Sequence, residues 1–378
     1  MEENISLPLE ALERGMSNRG DWSRIQSVMR RAKEGEALVI GFIGGSITQG
    51  SLASEPGLCY AARVFQWWAQ TFPKSSFTYV NAGIGGTTSQ FGAARVKEDL
   101  LRHRPDFVIV EFSVNDESTE HFKETYEGLV RQIYGAENKP ALLLVHNMYY
   151  DSGKTAQLVH GQIGRHYDVP CVSMPYSIYP EVLSGRILPR ELTEDNLHPN
   201  DRGHGLIASV ICHALEQIRA DTAGQREDTK EPESAALPEA LTENRYQNTV
   251  RFRNADAEPE LRGFVADLRE QNGITDVFKR GWTAGEEGAS FALKLCGRCI
   301  AVQYRKSPAC HAPAALVEVD GRSVCVLDGN FPGGWGDSLE LETVYESMEA
   351  AEHTVTVTIE SGEAVTKDFY LASVQAAL

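Results

Sequence analysis

The stretch that decides the fold is residues 37–50, which read ALVIGFIGGSITQG. Its first half is a short apolar run rich in β-branched residues, which predicts a fully buried parallel strand. Its second half is small and polar, and it places Ser46 just after that strand. Because open α/β sheets build their sites at the carboxyl ends of their strands, Ser46 is a candidate nucleophile. A tight strand-to-helix turn with an N-capping serine is the alternative that this stretch leaves open.

Composition narrows the class of protein. The 378 residues include 53 acids and 36 bases, for a net charge of -17, and 42% of them are hydrophobic. The apolar fraction can supply more than one core, and the negative charge argues against binding to nucleic acid or to an anionic membrane surface. The N-terminal residues lack the apolar segment of a signal peptide, and no run approaches the roughly 20 apolar residues of a membrane helix. These features predict a cytoplasmic protein.

Further apolar runs alternate with helical patterns along the first part of the chain. They predict strands over residues 77–80, 106–112, 141–145 and 171–174. Helices are predicted between them, with one over 8–33 before the first strand and a last one over about 203–219. This alternation predicts a three-layer α/β/α domain over residues 1–219, built on a five-stranded parallel sheet.

The pattern changes after residue 219. Residues 220–244 are polar and acidic and predict a linker. Residues 245–378 alternate with period two, which predicts an antiparallel β-sandwich. Within that part, Cys296 and Cys299 form a CxxC between two alternating runs. A hairpin turn there is favoured over a zinc or redox site, because zinc would need a second close cysteine pair.

Polar residues follow several predicted strands of the first domain. Gly86, Asn115 and the pair His146 and Asn147 each stand just beyond such a strand, as Ser46 does. Since the carboxyl ends of parallel strands meet at one edge, these residues should converge there. His146 and Asn147 could line the site, and packing within their loop is an equally open alternative.

A serine hydroxyl needs a base to take its proton, and His198 is the best candidate. Asp195, three positions earlier, could hold the imidazole in the required tautomer. Attack on an ester creates an oxyanion, for which the N–H groups of Ser46 and Gly86 and the Asn115 amide are natural donors. No metal or other cofactor is expected, because His204 and His198 have no evident third ligand.

Four short motifs together resemble the SGNH (GDSL-like) hydrolases: GGSIT, NAGIGGTTS, SVND and DNLHP, in this order. The resemblance covers roughly residues 37–218 and implies a flavodoxin-like fold and serine-based ester hydrolysis. It implies these site residues: Ser46 as nucleophile, Gly86 and Asn115 in the oxyanion hole, and Asp195 and His198 as acid and base.

Three positions near these motifs need separate comment. Gly45 stands where the family usually has aspartate, which changes the neighbour of the nucleophile but removes no catalytic group. Ser113 stands where a glycine is usual, and we expect it to reshape the pocket wall. Asp116 is predicted to be a helix cap or a buried hydrogen-bond partner.

The sequence of the second domain gives information about the class of substrate. Its loop over residues 331–338, FPGGWGDS, carries Trp335, whose ring could stack on a sugar. The layout is similar to carbohydrate acetylesterases that act on mannan or xylan oligosaccharides, which implies an acetylated oligosaccharide as substrate. We expect Trp335 near the mouth of the Ser46 pocket; packing inside the sandwich or on the linker is the alternative.

Two other functions stay open from the sequence. One is a lipase-like or thioester hydrolase that acts on non-carbohydrate esters. The other is a non-catalytic carbohydrate-binding protein, against which the presence of all the catalytic residue types argues. The sequence is compatible with a homo-oligomer.

Overall fold

The computed structural model describes residues 6–222, 237–308, 311–360 and 366–378. Contacts divide the chain into two compact units, Met1–Gly92 with Val96–Asn244 and Ala93–Arg95 with Arg245–Leu378. Each unit has a hydrophobic core of its own. Within the described ranges, no helix has both the length and the apolar character needed to cross a membrane.

The first unit alternates helices and strands along the chain. Its elements are α1 (Leu9–Arg14), β1 (Met16–Asn18), α2 (Ser23–Glu34), β2 (Ala37–Gly44), α3 (Ser46–Gln49), α4 (Tyr60–Thr71), β3 (Ser76–Gly83), α5 (Ser89–Asp99), β4 (Phe107–Glu111), α6 (Glu120–Tyr134), β5 (Ala141–His146), α7 (Gln157–His166), β6 (Cys171–Ser173), α8 (Met174–Leu183) and α9 (Asp201–Thr222).

These strands form one sheet in the order β1-β6-β5-β4-β2-β3. The five strands β2 to β6 pair in parallel, which confirms the predicted α/β class. The sixth strand, β1, pairs antiparallel with β6 at the edge and was not predicted. A single helix over 8–33 is therefore wrong. The chain leaves α1, adds β1 to the sheet edge and turns at Gly20 (φ +58°), where a side chain would collide with the backbone of residues 168–170, before α2 begins.

The order of the strands in the sheet determines where the candidate site lies. The chain runs from β2 to β3 on one side and then crosses to β4 on the other, so the carboxyl ends of β2 and β4 flank a topological switch point. Gly44, the last residue of β2, lies in register with Gly83 of β3 and with Glu111 of β4. Three strands therefore end level, and the segments that follow them begin side by side.

The segment predicted as a linker is ordered at both described ends. Helix α9 continues to Thr222, and residues 223–236 lie outside the described residues. Beyond them, the N–H groups of Leu241 and Thr242 donate to the carboxylate of Glu127 on α6, at 2.6 and 2.8 Å. Residues 237–244 thus pack on the first unit, although their polar composition is typical of a free linker.

The second unit is built from antiparallel strands. They are β7 (Thr249–Phe252), β8 (Glu260–Arg262), β9 (Val265–Ala266), β10 (Trp282–Ala284), β11 (Ser290–Lys306), β12 (Ala314–Val319), β13 (Arg322–Asp328), β14 (Ser338–Ile359) and β15 (Phe369–Ala377). Strands β11 and β14 pair along almost their whole lengths, and β11 also pairs with β8 near its start and with β15 near its end. Alternate side chains of these strands fill the core of the predicted sandwich.

The hairpin predicted at the CxxC is wrong. Cys296 and Cys299 both lie inside β11, and the pairing with β14 shifts register between Gly297 and Cys299. Two steps along β11, from Gly297 to Cys299, correspond to five along β14, from Ala351 to Glu346, so the three extra residues lie on β14 and β11 is not interrupted. Strand β11 therefore continues through Gly297, which lies within the CxxC where the sequence predicted a hairpin turn. Cys296 is exposed and Cys299 is buried, so the two thiols face different surroundings.

Candidate active site

Ser46 is the first residue of α3, separated from the end of β2 by Gly45 alone, and it is 6% exposed. The segment that follows β3 holds this junction in place. The N–H of Ile84 donates to the Gly44 carbonyl at 3.1 Å, and the N–H of Gly85 donates to Oε1 of Gln49 at 2.6 Å. Hydrogen bonds from a neighbouring strand thus fix the position of the serine.

His198 and Asp195 reach Ser46 from the loop that precedes α9. His198 Nε2 lies 2.8 Å from Ser46 Oγ, and His198 Nδ1 lies 2.6 Å from Asp195 Oδ2. If Nδ1–H donates to the aspartate, Nε2 is free to accept the proton of the serine hydroxyl. The structure therefore brings together three predicted site residues in the order that nucleophilic catalysis requires.

Local hydrogen bonds hold Asp195 in its ionised form. Its Oδ1 accepts the N–H groups of Leu197 at 3.0 Å and of His198 at 2.8 Å. Burial by itself would raise the pKa of this carboxyl, but the hydrogen bonds from His198 and Leu197 outweigh it and lower the pKa to about 2. Asp195 therefore remains an acceptor for the imidazole N–H across the neutral pH range.

Three donors at this edge are unused. Within the described part of the chain, no hydrogen bond is donated by the N–H of Ser46, the N–H of Gly86 or Nδ2 of Asn115. Gly86 has a φ of +68°, which favours glycine, and a Cβ on its neighbour Gly85 would lie 3.6 Å from Ser46 Cβ. The predicted oxyanion donors are therefore the N–H of Ser46 itself and two N–H groups from neighbouring segments, and all three are available to a substrate.

Asn115 packs directly on Gly45. A Cβ at position 45 would lie 2.0 Å from Asn115 Oδ1 and 2.8 Å from its Cγ. The departure from the usual aspartate therefore has a steric reason in this chain, because only glycine lets the Asn115 amide approach the residue before Ser46.

Ser113 does not form a pocket wall, contrary to expectation. The residue is fully buried. Its hydroxyl donates to Oε1 of Glu111 at 2.9 Å and accepts the N–H of Asn147 at 2.7 Å. The second departure from the family pattern is thus part of an interior hydrogen-bond network.

His146 and Asn147 are also interior residues. His146 is completely buried and Asn147 is 2% exposed, so packing within the loop describes them better than contact with substrate. Burial, reinforced by His160 and Arg165, lowers the pKa of His146 to about 3 and keeps the ring neutral. The Asn147 carbonyl accepts the hydroxyl of Thr155 at 2.7 Å.

Asp116 is a buried hydrogen-bond partner, as predicted. One carboxylate oxygen accepts the N–H of Ser89 at the start of α5 at 2.9 Å, and the other lies 3.0 Å from His160 Nε2. The His160 ring stacks on Tyr126 with the two ring centroids 3.6 Å apart. Sequence reasoning missed His160, since nothing local marks a histidine in the middle of a helix as the partner of a distant acid.

Glu111 is the second residue near the site that sequence reasoning missed. It is fully buried at the end of β4, next to the loop that carries Asn115. A signal was present, because an acid ends an otherwise apolar strand, FVIVE, that is buried along its whole length.

His204 is not arranged as a metal ligand. Its Nδ1 accepts the N–H of Tyr60 at 3.2 Å, and its Nε2 donates to the Ser51 carbonyl at 3.1 Å. Burial lowers the pKa of this ring to about 4. Over the residues that the structure describes, no group of three or more His, Cys, Asp and Glu side chains is placed to hold a metal ion.

Trp335, in the second unit, is 74% exposed. Its ring meets Phe331 edge to face at a centroid distance of 6.4 Å. The alternative that Trp335 is buried inside the sandwich is therefore wrong. Its position near the Ser46 pocket stays a prediction.

A parallel α/β sheet that carries a linked serine, histidine and aspartate at its carboxyl edge defines a serine hydrolase. The model of the GDSL-like lipase/acylhydrolase family matches residues 42–206, which span β2 to the start of α9. This chain belongs to that family, and the resemblance proposed from its four motifs is confirmed.

Known structures and sequences extend the comparison. The chain is similar over both units to a two-domain esterase active on acetylated mannans, with 53% identity, a TM-score of 0.92, and coverage of 97% of this chain and 98% of that one. A second structure of such an esterase, co-crystallised with mannopentaose, gives 52% identity, a TM-score of 0.92, and coverage of 99% and 98%.

Two curated relatives match about half of this chain. Acetylxylan esterase of Geobacillus stearothermophilus is 26% identical over 211 residues, which cover 48% of this chain and 94% of that protein. Thioesterase 1/protease 1/lysophospholipase L1 of Escherichia coli (strain K12) is 25% identical over 197 residues, which cover 50% and 87%.

Proposed function

We propose that this protein is a carbohydrate O-acetylesterase that removes acetyl groups from acetylated manno-oligosaccharides through an acyl-enzyme on Ser46. The observation that carries the proposal is the hydrogen-bonded series from Ser46 Oγ to His198 to Asp195, beside unused N–H donors. Acyl transfer requires this combination of nucleophile, oriented base and oxyanion donors.

In the first half of the reaction, Ser46 Oγ attacks the acetyl carbonyl carbon while its proton passes to His198 Nε2. The N–H groups of Ser46 and Gly86 and the Asn115 amide stabilise the negative oxygen of the tetrahedral intermediate. The bond from the carbonyl carbon to the sugar oxygen then breaks, and His198 gives its proton to that oxygen. Asp195 stays ionised and stabilises the imidazolium that forms in between.

In the second half, water attacks the acetyl group on Ser46 and gives a proton to His198. The same donors stabilise the second oxyanion, the bond to Ser46 Oγ breaks, and the proton returns to that oxygen. Acetic acid leaves and loses its proton to the solvent, and the enzyme is restored. Every proton taken up by His198 is released within the cycle, so the side chains return to their starting protonation states.

The choice of substrate rests on the extent of similarity. The esterase active on acetylated mannans is more than half identical and matches both units. The acetylxylan esterase and the thioesterase match only about half of the chain, at identities near one quarter. Similarity over the second unit therefore favours acetylated mannan fragments over xylan fragments and over long-chain esters or thioesters.

A substrate panel tests the proposal. Acetyl, butyryl and octanoyl aryl esters would be compared with acetylated manno- and xylo-oligosaccharides, and kcat/KM measured for each. We expect acetyl esters to be preferred among the aryl esters and acetylated manno-oligosaccharides to be preferred among the sugars. Preference for octanoyl esters would instead identify a lipase-like hydrolase.

The nucleophile is tested separately with Ser46→Ala. This variant should fold normally, lose esterase activity and fail to gain the mass of an acetyl group when mixed with substrate. An active, folded alanine variant would refute the acyl-enzyme on Ser46.

A further inference from the structure

Glu111 connects the two loops that meet at the site. It is the last residue of β4 and lies beside Gly44 of β2 in the sheet. Its carbonyl accepts the N–H of Gly45, the residue before the nucleophile, at 3.3 Å. Its side chain extends into the interior and is completely buried. An acid in that position needs an explanation, because a buried carboxyl is costly unless hydrogen bonds compensate for it.

The Glu111 carboxyl is bonded to the loop that carries Asn115. Its Oε1 accepts both the backbone N–H of Ser113, at 3.0 Å, and the Ser113 hydroxyl, at 2.9 Å. The same hydroxyl accepts the N–H of Asn147 at 2.7 Å, and the Ser113 carbonyl accepts the N–H of Ala156 at 2.7 Å. Ser113 is therefore held by its N–H, its carbonyl and its side chain together.

The turn from Ser113 to Asn115 is short and is fixed at its far end too. The N–H groups of Asn115 and Asp116 both donate to the carbonyl of Phe112, at 3.0 and 2.9 Å. Asp116 is anchored in turn by the N–H of Ser89 at 2.9 Å. Asn115 thus stands between two anchored residues, and its amide rests on Gly45.

We propose that Glu111 is a positioning residue, which acts through Ser113 to hold the Asn115 amide where the oxyanion forms. The inference rests on the proposed esterase function and adds to it a residue that touches neither substrate nor nucleophile. An oxyanion donor is effective only when it is held in place before the reaction, so the support of its loop contributes to the rate.

The charge of Glu111 gives this support a pH dependence. Burial raises the pKa of Glu111 to about 7, against the opposing hydrogen bonds of Ser113 and the nearby Asn147 amide, and the charge of Asp116 raises it further. Burial, and to a lesser extent nearby charges that include Glu111, raises the pKa of the Tyr60 and Tyr126 phenols well above the usual value. Because an ionised carboxylate accepts hydrogen bonds more strongly than a neutral acid, the two hydrogen bonds from Ser113 to Glu111 strengthen as pH rises through about 7.

The test is Glu111→Gln, which keeps one oxygen to accept the Ser113 donors but removes the charge. We expect kcat to fall about tenfold with KM nearly unchanged, less than the roughly 10²–10³-fold expected when an oxyanion donor is deleted. The ratio of wild-type to Glu111→Gln kcat should increase as pH rises through about 7. Taking the ratio removes pH effects that both proteins share.

A double-mutant cycle separates positioning from general stability. If Glu111 acts through Asn115, Glu111→Gln should cost little when Asn115→Ala is already present. The matched control is Glu181→Gln, because Glu181 is an equally buried acid that pairs with Arg14 and Arg186. The control should lower the melting temperature and leave kcat unchanged.

Each outcome bears on one proposal. Wild-type kcat in Glu111→Gln, a kcat ratio that does not change with pH, or full additivity with Asn115→Ala would overturn the role of Glu111. Unchanged kcat in Asn115→Ala, or activity in Ser46→Ala, would instead overturn the proposed function. If Asn115→Ala is slow while Glu111→Gln is not, the esterase mechanism stands and the positioning role falls.

Discussion

Replacing Gly45 by alanine should slow the reaction by displacing Asn115. The added Cβ would lie 2.0 Å from Asn115 Oδ1 and 2.8 Å from Cγ, whereas real Cβ atoms essentially never approach another heavy atom within 3.0 Å. The amide must therefore retreat by about 1 Å, since the buried backbone on either side cannot easily yield.

A displacement of about 1 Å at a catalytic group can cost about 10²-fold in rate, or about 3 kcal/mol of transition-state stabilisation. We therefore expect kcat of Gly45→Ala to fall by about 10², close to the loss in Asn115→Ala, while KM changes little. In the Asn115→Ala background the obstructing amide is gone, so Gly45→Ala should then cost less than about threefold.

The assay is steady-state hydrolysis of a small aryl acetate by the wild type, the two single variants and the double variant, with melting temperatures measured alongside. Gly57→Ala is the matched control, because its new Cβ would meet nothing nearer than Gln66 Nε2 at 3.9 Å. A folded Gly45→Ala enzyme with nearly wild-type kcat would refute the steric argument, as would equal costs of this substitution with and without Asn115.

Four further outcomes are expected. Asp195→Ala should lower kcat less than His198→Ala does, because water can partly orient the imidazole; equal losses would mean that Asp195 does more than orient. The pKa of Glu111 rises from 4.5 to about 7 on folding, so between these pH values the native state holds a proton on Glu111 that the unfolded chain has lost. The free energy of unfolding should therefore decrease by about 3 kcal/mol as pH increases from 4.5 to 7. Glu111→Gln should therefore flatten the free energy of unfolding between pH 4.5 and 7 in urea titrations, and a slope like that of the wild type would contradict the assignment. Trp335→Ala should weaken hydrolysis of acetylated manno-oligosaccharides much more than that of an aryl acetate, whereas equal losses with a lower melting temperature would indicate a structural role. EDTA should leave activity intact, and activity that is lost on chelation and restored by zinc would refute a mechanism carried by Ser46, His198 and Asp195 alone.

The sequence by itself determined the class of fold and which residues meet at one edge of its sheet. Apolar runs of strand length that alternate with helices can hardly pack in any way other than around a parallel sheet. That topology then requires the residues after each strand to meet at one edge, so the sequence alone groups Ser46, Gly86 and Asn115. The spacing of Asp195 and His198 placed them on one loop, where a contact between acid and imidazole needs no distant partner.

Only the tertiary structure decided the contacts that surround those residues. The fit of Asn115 on Gly45 and the bond between Ser113 and Asn147 join segments that are distant in sequence, and no local pattern specifies them. The antiparallel edge strand β1 and the uninterrupted strand β11 were missed for the same reason, because a partner strand elsewhere in the chain supplies their hydrogen bonds. The identity and periodicity of its side chains limit which secondary structures a segment can form. The segment that it pairs with in the folded chain decides which of them it adopts.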